Sequence, residues 1–362
     1  MNLVCLSTFS EATKRPIWSS VDIDVDIEPL ELRREGAVIE MVERYKRSDQ
    51  DNPNRKIVEE WKQDHRIQQN SILKIEKKLQ EKHQLPGNRA PLQQFDKNTP
   101  PYLELRRPNI RTSINNAVSK KHSDPVELMV AGLKTVQEYP DNWIQVYTDG
   151  SAFKGTMNAG YGVRIEYADK TSEEIFNPCG VFCSNYEAEA LAIEAAVHQL
   201  QQQFTLSRER KQNVVIFSDS MSVLQALENE KLDTSLIISI TKTLSAFMQE
   251  FDIDVTLQWI PSHCDIPGNE RADTLAKKGA ESEQANIPVS LNTAKQMIKS
   301  NNKNRETEQL GFVLFFRTLF LSQHGGENTA VHFRHLLSSS DLRKHEKIQY
   351  INHRTRDVVL FT

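Results

Sequence analysis

The chain has 362 residues, of which 38% are hydrophobic and 26% are charged, and its formal net charge is -4 at pH 7. This composition supports at least one hydrophobic core, and the net charge argues against a chain that is basic throughout, as a general nucleic-acid coat would be. The four cysteines are too few for a disulfide scaffold and lack the paired spacing of a zinc ribbon. The apolar runs at the N-terminus and at 310–321 are too short for a signal peptide or a membrane span. We therefore expect an intracellular protein, cytoplasmic or nuclear, that is neither secreted nor inserted in a membrane.

The first 139 residues consist mainly of charged, helix-favouring stretches and a proline-bearing link. Apolar residues recur at helical spacing, for example in "SILKIEKKLQ", which predicts amphipathic helices that need a partner surface. We expect residues 1–139 to be a helical region with a flexible linker.

From Trp143 the pattern changes to strands and helices in alternation. The segments "WIQVYTD", "AGYGVRIEYA" and "EEIFNPCGVFC" predict an antiparallel meander, and "NYEAEALAIEAAVHQLQQQF" predicts a long helix. The strand "NVVIFSD", two helices, the strand "DVTLQWIPSH" and the helix "GNERADTLAKKGAE" follow. The order βββαβααβα predicts an α/β domain at 140–284, with a mixed five-stranded sheet and flanking helices. We expect the tail at 285–362 to be partly helical or disordered.

Four acids occupy unusual places in these elements. Asp149 and Asp219 each follow an apolar strand, Glu189 lies in the apolar stripe of the long helix, and Asp273 lies among core-type residues of the last helix. Each has a purely structural explanation: a turn at Asp149, a helix cap at Asp219, a solvated edge at Glu189, and an ion pair of Asp273 with Lys277. Taken together they point to a site, because the two strand ends should be neighbours in the sheet and the two helices would bring acids toward them.

A cluster of four carboxylates needs a cation, because like charges at contact distance raise each other's pKa. Mg²⁺ prefers a few carboxylates together with water and substrate phosphate. Two such ions about 4 Å apart stabilise the attacking and the leaving oxygen of a phosphoryl displacement. The pattern therefore predicts a two-ion Mg²⁺ site, in which Mn²⁺ can substitute, that acts on a phosphodiester.

The motifs "YTDGS", "EAEALAI", "FSDSMSVLQAL" and "WIPSHCDIPGNERADTLAK" resemble the type 1 ribonuclease H domain over about residues 143–285. The resemblance implies a ribonuclease H-like fold, and it implies that Asp149, Glu189, Asp219 and Asp273 are catalytic metal ligands. It also implies that His263 assists proton transfer or product departure. The expected substrate is an RNA/DNA hybrid, with no small-molecule cofactor, and the oligomeric state is left open.

The resemblance assigns substrate contacts to Gly150, Ser151, Ser184 and Asn185. The helix start reads "CSNYEAEA", where cellular relatives usually carry a second asparagine, so these assignments are the least specific ones. The stretch 232–251 has little positive charge, and the basic protrusion of bacterial forms is not evident there. Substrate affinity then depends on another part of the chain.

The residues before the domain look like the thumb and connecting helices that precede ribonuclease H in the polyproteins of non-LTR retrotransposons. We see no polymerase motif with paired aspartates, so we do not expect the chain to copy nucleic acid. The leading hypothesis is metal-dependent endonucleolytic hydrolysis of the RNA strand of RNA/DNA hybrids by a retroelement-derived protein. One alternative is a catalytically inactive nucleic-acid-binding relic. Another is a transposase or integrase of the same fold, which would need a glutamate in place of Asp273.

Overall fold

The computed structural model describes residues 30–61, 72–83, 85–92, 105–114, 124–206, 212–229, 235–305 and 307. The described residues fall into two compact units, one drawn from 1–39, 70–83 and 298–362 and the other from 40–69 and 84–297. Most of the predicted tail, from 308 onward, lies outside the described residues, as do residues 1–29. None of the described helices combines the length and the apolar character needed to cross a bilayer.

The smaller unit is helical. It contains most of helix α1 (Leu30–Lys46) and all of helix α3 (Ile72–His83), while helix α2 (Pro53–Glu60) belongs to the larger unit. Asn302 Nδ2 donates a hydrogen bond to the carbonyl of Leu32 at 3.1 Å, and Arg305 pairs with Glu35 at 2.6 Å. The helical character expected of the N-terminal region is confirmed for these three segments.

The larger unit is built on a six-stranded sheet with the strand order β1-β6-β5-β2-β3-β4. The strands are β1 (Asn109–Arg111), β2 (Ile144–Phe153), β3 (Met157–Glu166), β4 (Ser172–Gly180), β5 (Val214–Ser218) and β6 (Val255–Trp259). Strands β2, β3 and β4 are antiparallel neighbours, whereas β1, β6, β5 and β2 run parallel. The predicted mixed α/β sheet is confirmed, with one strand more than the five expected: β1, which was not predicted within residues 1–139, pairs with the edge of β6.

Helices cover both faces of the sheet. They are α4 (Pro125–Gln137), α5 (Asn185–Leu206), α6 (Met221–Glu228), α7 (Ser235–Phe251) and α8 (Pro267–Glu281). A further helix, α9, spans 291–305, and its first residues, up to 297, belong to this unit. One face contributes Val146, Ile216 and Leu257 to the main core, which they share with α5, α6 and α7. The other face presents Tyr147 and Phe217, which pack with Ala272 of α8. The alternation of side chains along β2 therefore directs residues 147 and 149 toward α8.

Helix α8 lies directly on the backbone of β3. A Cβ atom on Gly160 would stand 2.1 Å from the amide nitrogen of Ala280, and one on Gly162 would stand 2.2 Å from the carbonyl oxygen of Ala272. Real side chains do not fit in such gaps, so glycine at these positions sets the depth at which α8, and with it Asp273, sits against the sheet.

We expect Gly162→Ala to destabilise the protein by about 2 kcal/mol, because the helix must move away from the strand to admit a methyl group. Gly87→Ala is the matched control, since a Cβ at that position meets no atom within 4 Å, and it should change stability by less than about 0.5 kcal/mol. Urea denaturation of the full chain measures both. Equal stability of the two variants would contradict the close packing of α8 on β3.

Candidate metal and active site

The parallel pairing of β2 with β5 brings Asp149 and Asp219 together. The register aligns Thr148 with Ser218, so the two aspartates occupy equivalent positions on adjacent strands. This agrees with the expectation that the two acids are neighbours. The prediction that the strand ends before Asp149 is wrong, however, because β2 continues through Asp149 to Phe153 as the antiparallel partner of β3. Only the pairing with β5 stops at this point, and the turn explanation for Asp149 therefore fails.

The end of β5 is fixed by contacts with β6. The indole Nε1 of Trp259 donates to the carbonyl oxygen of Asp219 at 3.2 Å, and the amide of Ile260 donates to the carbonyl of Ser218 at 3.1 Å. The sequence analysis gave Trp259 no role. A tryptophan at a buried strand end was the available signal, since an indole N–H in that position needs an acceptor.

Glu189 enters the site from the first turns of α5. Its side chain is 5% exposed, and its Oε2 atom has no hydrogen-bond partner. One carboxylate oxygen from each of Asp149, Glu189 and Asp219 lies within 4.8 Å of the others. Three elements of the fold thus bring three carboxylates to one point, and this spacing suits shared ligation of a hard cation.

Gly150 allows Glu189 to come this close. A Cβ atom on residue 150 would stand 2.2 Å from the amide nitrogen of Glu189 and 2.6 Å from the carbonyl carbon of Ala188, so the helix backbone occupies the space of a side chain. The Gly150 amide also hydrogen-bonds both carboxylates and in this way opposes the rise in the pKa of each. Asp149 is followed by glycine in the sequence because α5 approaches β2 so closely at residue 150 that no side chain fits there.

Asp273 lies beside the cluster and is not one of the three residues whose carboxylate oxygens lie within 4.8 Å of one another. Its side chain is 17% exposed and pairs with Lys277 at 2.5 Å, as the structural explanation of this acid expected. It is also close enough to Asp149 to raise the pKa of that carboxyl, through its charge and a hydrogen bond. The ion pair expected of Asp273 is therefore confirmed, and Lys277 partly offsets the negative charge on this side of the cluster.

Burial and repulsion act together on the two most enclosed acids. Burial, followed by the charges of Asp219 and Asp273, raises the pKa of Asp149 to about 8. Burial, followed by the charges of Asp149 and Asp219, raises the pKa of Glu189 well above its usual value. A divalent cation would relieve both effects, and the unpartnered Oε2 of Glu189 is an available ligand atom. The residues present therefore fit such an ion.

The remaining predicted residues have different surroundings. His263 is exposed in the loop between β6 and α8, with a positive φ of 53°, and is not part of the three-acid cluster. Ser151 is half-buried on β2. Asn185 is exposed at the start of α5, and its Nδ2 approaches Glu189 Oε1 at 3.5 Å. Ser184 is fully buried, and its hydroxyl accepts a hydrogen bond from the Glu187 amide at 3.2 Å.

The Ser184 hydroxyl therefore serves as an N-cap of α5. It is beneath the helix start rather than at the surface, and we do not retain its side chain as a substrate contact. Asn185 is the one residue of the pair that joins the exposed surface to the acidic cluster.

Asp149→Asn tests the cost of burying this carboxyl. Because the pKa of Asp149 is raised to about 8, the folded chain without a cation holds a proton that the unfolded chain releases above about pH 4. This retained proton stabilises the folded state. Its contribution to the free energy of unfolding is fully present below about pH 4 and is lost as the pH rises through about 8. In a chelator, we expect the free energy of unfolding of the wild type to fall by on the order of 1–3 kcal/mol between about pH 5 and about pH 9, and that of Asp149→Asn to fall less.

Urea denaturation at each pH provides the measurement. The exposed Asp265, whose positive φ of 52° asparagine also tolerates, gives the control variant Asp265→Asn, which should follow the wild type. Parallel pH profiles for the wild type and Asp149→Asn would show that the Asp149 carboxyl is not desolvated.

Comparisons with known proteins converge on one family. Residues 141–281 match the family model described as RNase H. The ribonuclease H of Saccharomyces cerevisiae is 30% identical over 162 residues, which are 38% of this chain and 45% of the yeast protein. The ribonuclease H of Alcanivorax borkumensis is 28% identical over 148 residues, which are 38% of this chain and 90% of that protein.

Among solved structures, the crystal structure of LC11-RNase H1 in complex with an RNA/DNA hybrid is similar at 21% identity and a TM-score of 0.32, over 38% of this chain and 96% of that one. The match to the yeast relative spans about half of that protein's length. The sequence matches identify a ribonuclease H domain at residues 141–281, which is about two-fifths of the chain.

Proposed function

We propose that this protein is a metal-dependent endonuclease of the type 1 ribonuclease H class that hydrolyses the RNA strand of RNA/DNA hybrids. The observation that carries the proposal is the cluster of Asp149, Glu189 and Asp219, whose oxygens lie within 4.8 Å of one another. The match of residues 141–281 to the RNase H family supports the choice of reaction.

Asp149, Glu189 and Asp219 would hold Mg²⁺, with Asp273 as a further ligand for a second ion and Mn²⁺ as a substitute. The ions, when bound, supply activation of the attacking water and stabilisation of the leaving oxygen. The chain itself must keep the carboxylates converged against their mutual repulsion, and Gly150 and the register of β2 with β5 do this.

The protein side chains at the mouth of the site suit a ribonucleotide. Asn185 is exposed and within reach of Glu189, so its amide can contact the nucleotide whose phosphate lies at the cluster. A ribose 2′-hydroxyl is both a donor and an acceptor, and it is the group that distinguishes RNA from DNA. The half-buried Ser151 extends the same surface along β2, whereas Gly150 is buried against α5. His263, on an exposed loop, would exchange a proton with solvent.

We also propose that the chain derives from a non-LTR retroelement, in which thumb and connecting helices precede ribonuclease H. Helices α1, α2 and α3 support this proposal, since they are charged and stand before the matched residues. An RNA/DNA hybrid substrate would place the protein in the cytoplasm or nucleus.

The proposed activity is tested by cleavage of a labelled RNA/DNA hybrid, with duplex DNA and duplex RNA as controls. We expect only the RNA strand of the hybrid to be cut, in Mg²⁺ and not in EDTA. Asp149→Asn and Glu189→Gln should each lower the rate by about 100-fold or more, because each removes a charged ligand. Glu194→Gln, on a more distant turn of α5, is the matched control and should retain the wild-type rate.

Two outcomes would overturn the proposal. Binding of the hybrid without cleavage by the folded wild type would favour the inactive nucleic-acid-binding relic. Cleavage of plain duplex DNA would favour the transposase or integrase class.

His263→Ala should lower the cleavage rate by on the order of 10²-fold, as expected for loss of a proton-transfer group. It should leave the melting temperature unchanged, because the residue is exposed. His198→Ala, at an exposed histidine of α5, controls for removal of any surface imidazole. If both variants cut hybrid at the wild-type rate, His263 has no part in the reaction.

A further inference from the structure

Two helix N-termini meet beside the acidic cluster, and each is capped by its own serine. The Ser184 hydroxyl accepts from the Glu187 amide at 3.2 Å at the start of α5, and the Ser290 hydroxyl accepts from the Thr293 amide at 3.0 Å at the start of α9. The Glu187 carboxylate joins the two caps, because it accepts hydrogen bonds from the hydroxyls of Ser290 and Thr293, the latter at 2.6 Å. We call Ser184, Glu187, Ser290 and Thr293 the capping junction.

The capping junction is partly buried, with Glu187 and Ser290 half-buried, and its hydroxyls are in use. Ser184 and Thr293 are both 0% exposed. The Thr293 hydroxyl donates to Glu187 and also accepts from the amide of Ser184, at 3.0 Å. Removing this hydroxyl would leave the buried amide of Ser184 without a partner and would take one hydrogen bond from the half-buried Glu187 carboxylate, and the unpaired amide is the more costly loss.

The segment that leads into α9 is anchored on the same side of the domain. The amide of Val181 donates to the carbonyl of Ala285 at 3.1 Å, and the amide of Gly180 donates to Oε1 of Gln284 at 2.9 Å. Residues after α8 are therefore bonded to the chain that runs from β4 into α5.

Upstream residues fasten this segment from its other side. Val289 forms a parallel bridge with Arg89, and the amide of Ala90 donates to the carbonyl of Val289 at 2.9 Å. The buried guanidinium of Arg47 donates to the same carbonyl at 3.2 Å and pairs with Glu43, which also binds Arg89. Residues on both sides of the matched region thus converge just before the capping junction.

The first turn of α5 has little freedom to move without disturbing the site. Asn185 and Glu187 lie in this turn, Glu189 follows at the start of the next turn, and the Glu189 backbone stands where a side chain of residue 150 would be. A rotation of this turn would shift the Glu189 carboxylate relative to Asp149 while leaving the remainder of α5 packed in the core.

We propose that the capping junction positions the first turn of α5, so that Glu187, Ser290 and Thr293 act as positioning residues for metal binding by Glu189. It follows that residues 285–297 belong to the catalytic unit of this chain, although the family match ends at 281 and the sequence analysis placed the boundary at 284. The inference rests on the proposed function, since it concerns the same metal site.

The test measures Mn²⁺ binding by titration calorimetry on the full chain, together with the Mg²⁺ dependence of hybrid cleavage. Thr293→Val is nearly isosteric and removes only the hydroxyl, Glu187→Gln weakens the acceptor, and Thr293→Ser restores the hydroxyl. We expect the first two variants to bind Mn²⁺ about 10-fold more weakly than the wild type, as for loss of a group that orients a ligand. Thr293→Ser should bind Mn²⁺ as the wild type does.

Thr241→Val is the matched control. Thr241 is a buried threonine of α7 whose hydroxyl donates to the carbonyl of Ile237 in the same helix at 2.8 Å. The Thr241→Val variant should have a lower melting temperature than the wild type and the same Mn²⁺ affinity. Ser290→Ala provides a second variant of the junction should Thr293→Val fail to fold, and it should also weaken Mn²⁺ binding.

Wild-type Mn²⁺ affinity in folded Thr293→Val, Glu187→Gln and Ser290→Ala would overturn the inference. Equal weakening by Thr241→Val would also overturn it, since that result would indicate a general loss of stability. If the wild type binds Mn²⁺, Asp149→Asn abolishes that binding, and the wild type still does not cleave the hybrid, the result would count against the proposed function alone. A wild type that binds no Mn²⁺ would overturn both.

Discussion

The approach of helix α5 to strand β2 at Gly150 is the constraint on which the acidic cluster depends. The backbone of Glu189 occupies the volume that any side chain at residue 150 would need. Because the strand and the helix touch through their backbones, a carboxylate from the helix can reach the level of the strand acids. Asp219 arrives at the same level through the in-register pairing of β5 with β2. The site is thus a consequence of backbone contacts, and the side chains would not converge without them.

This arrangement has an electrostatic cost that the rest of the fold must offset. Desolvation and repulsion disfavour the ionised forms of Asp149 and Glu189, as the direction of their pKa changes shows. The hydrophobic core on the same sheet, which includes Val146, Ile216 and Leu257, supplies the opposing free energy. A ligand that binds only the converged carboxylates would stabilise the folded state by mass action.

Much of this site could be predicted from the sequence because its parts are encoded locally. The apolar strands before Asp149 and Asp219 define two neighbouring parallel strands, and the stripe of α5 places Glu189 toward the sheet. The extent of β2 beyond Gly150 was missed, because an Asp-Gly pair usually marks a turn and only the pairing with β3 shows otherwise. Strand β1 was missed because three residues between a proline and polar neighbours carry no periodic signal.

The capping junction could not be predicted, since Glu187 and Thr293 are 106 positions apart. The apolar stripe of α5 indicates that Glu189 of "YEAEA" faces the sheet, but nothing local indicates that Glu187 binds the start of α9. Ser184 was assigned to the substrate from the family resemblance; a serine before a helix suits both a cap and a surface contact, and only its burial separates the two.

Strand β1 affects the tendency of the domain to self-associate. All five residues of β6 are buried, and β1 pairs with its outer edge through Asn109, Ile110 and Arg111. A fragment that began near residue 140 would leave this edge with unpaired amides and carbonyls beside apolar side chains. Such an edge is a template for strand addition between molecules. The short polar strand upstream of the matched region therefore also protects the sheet against self-association.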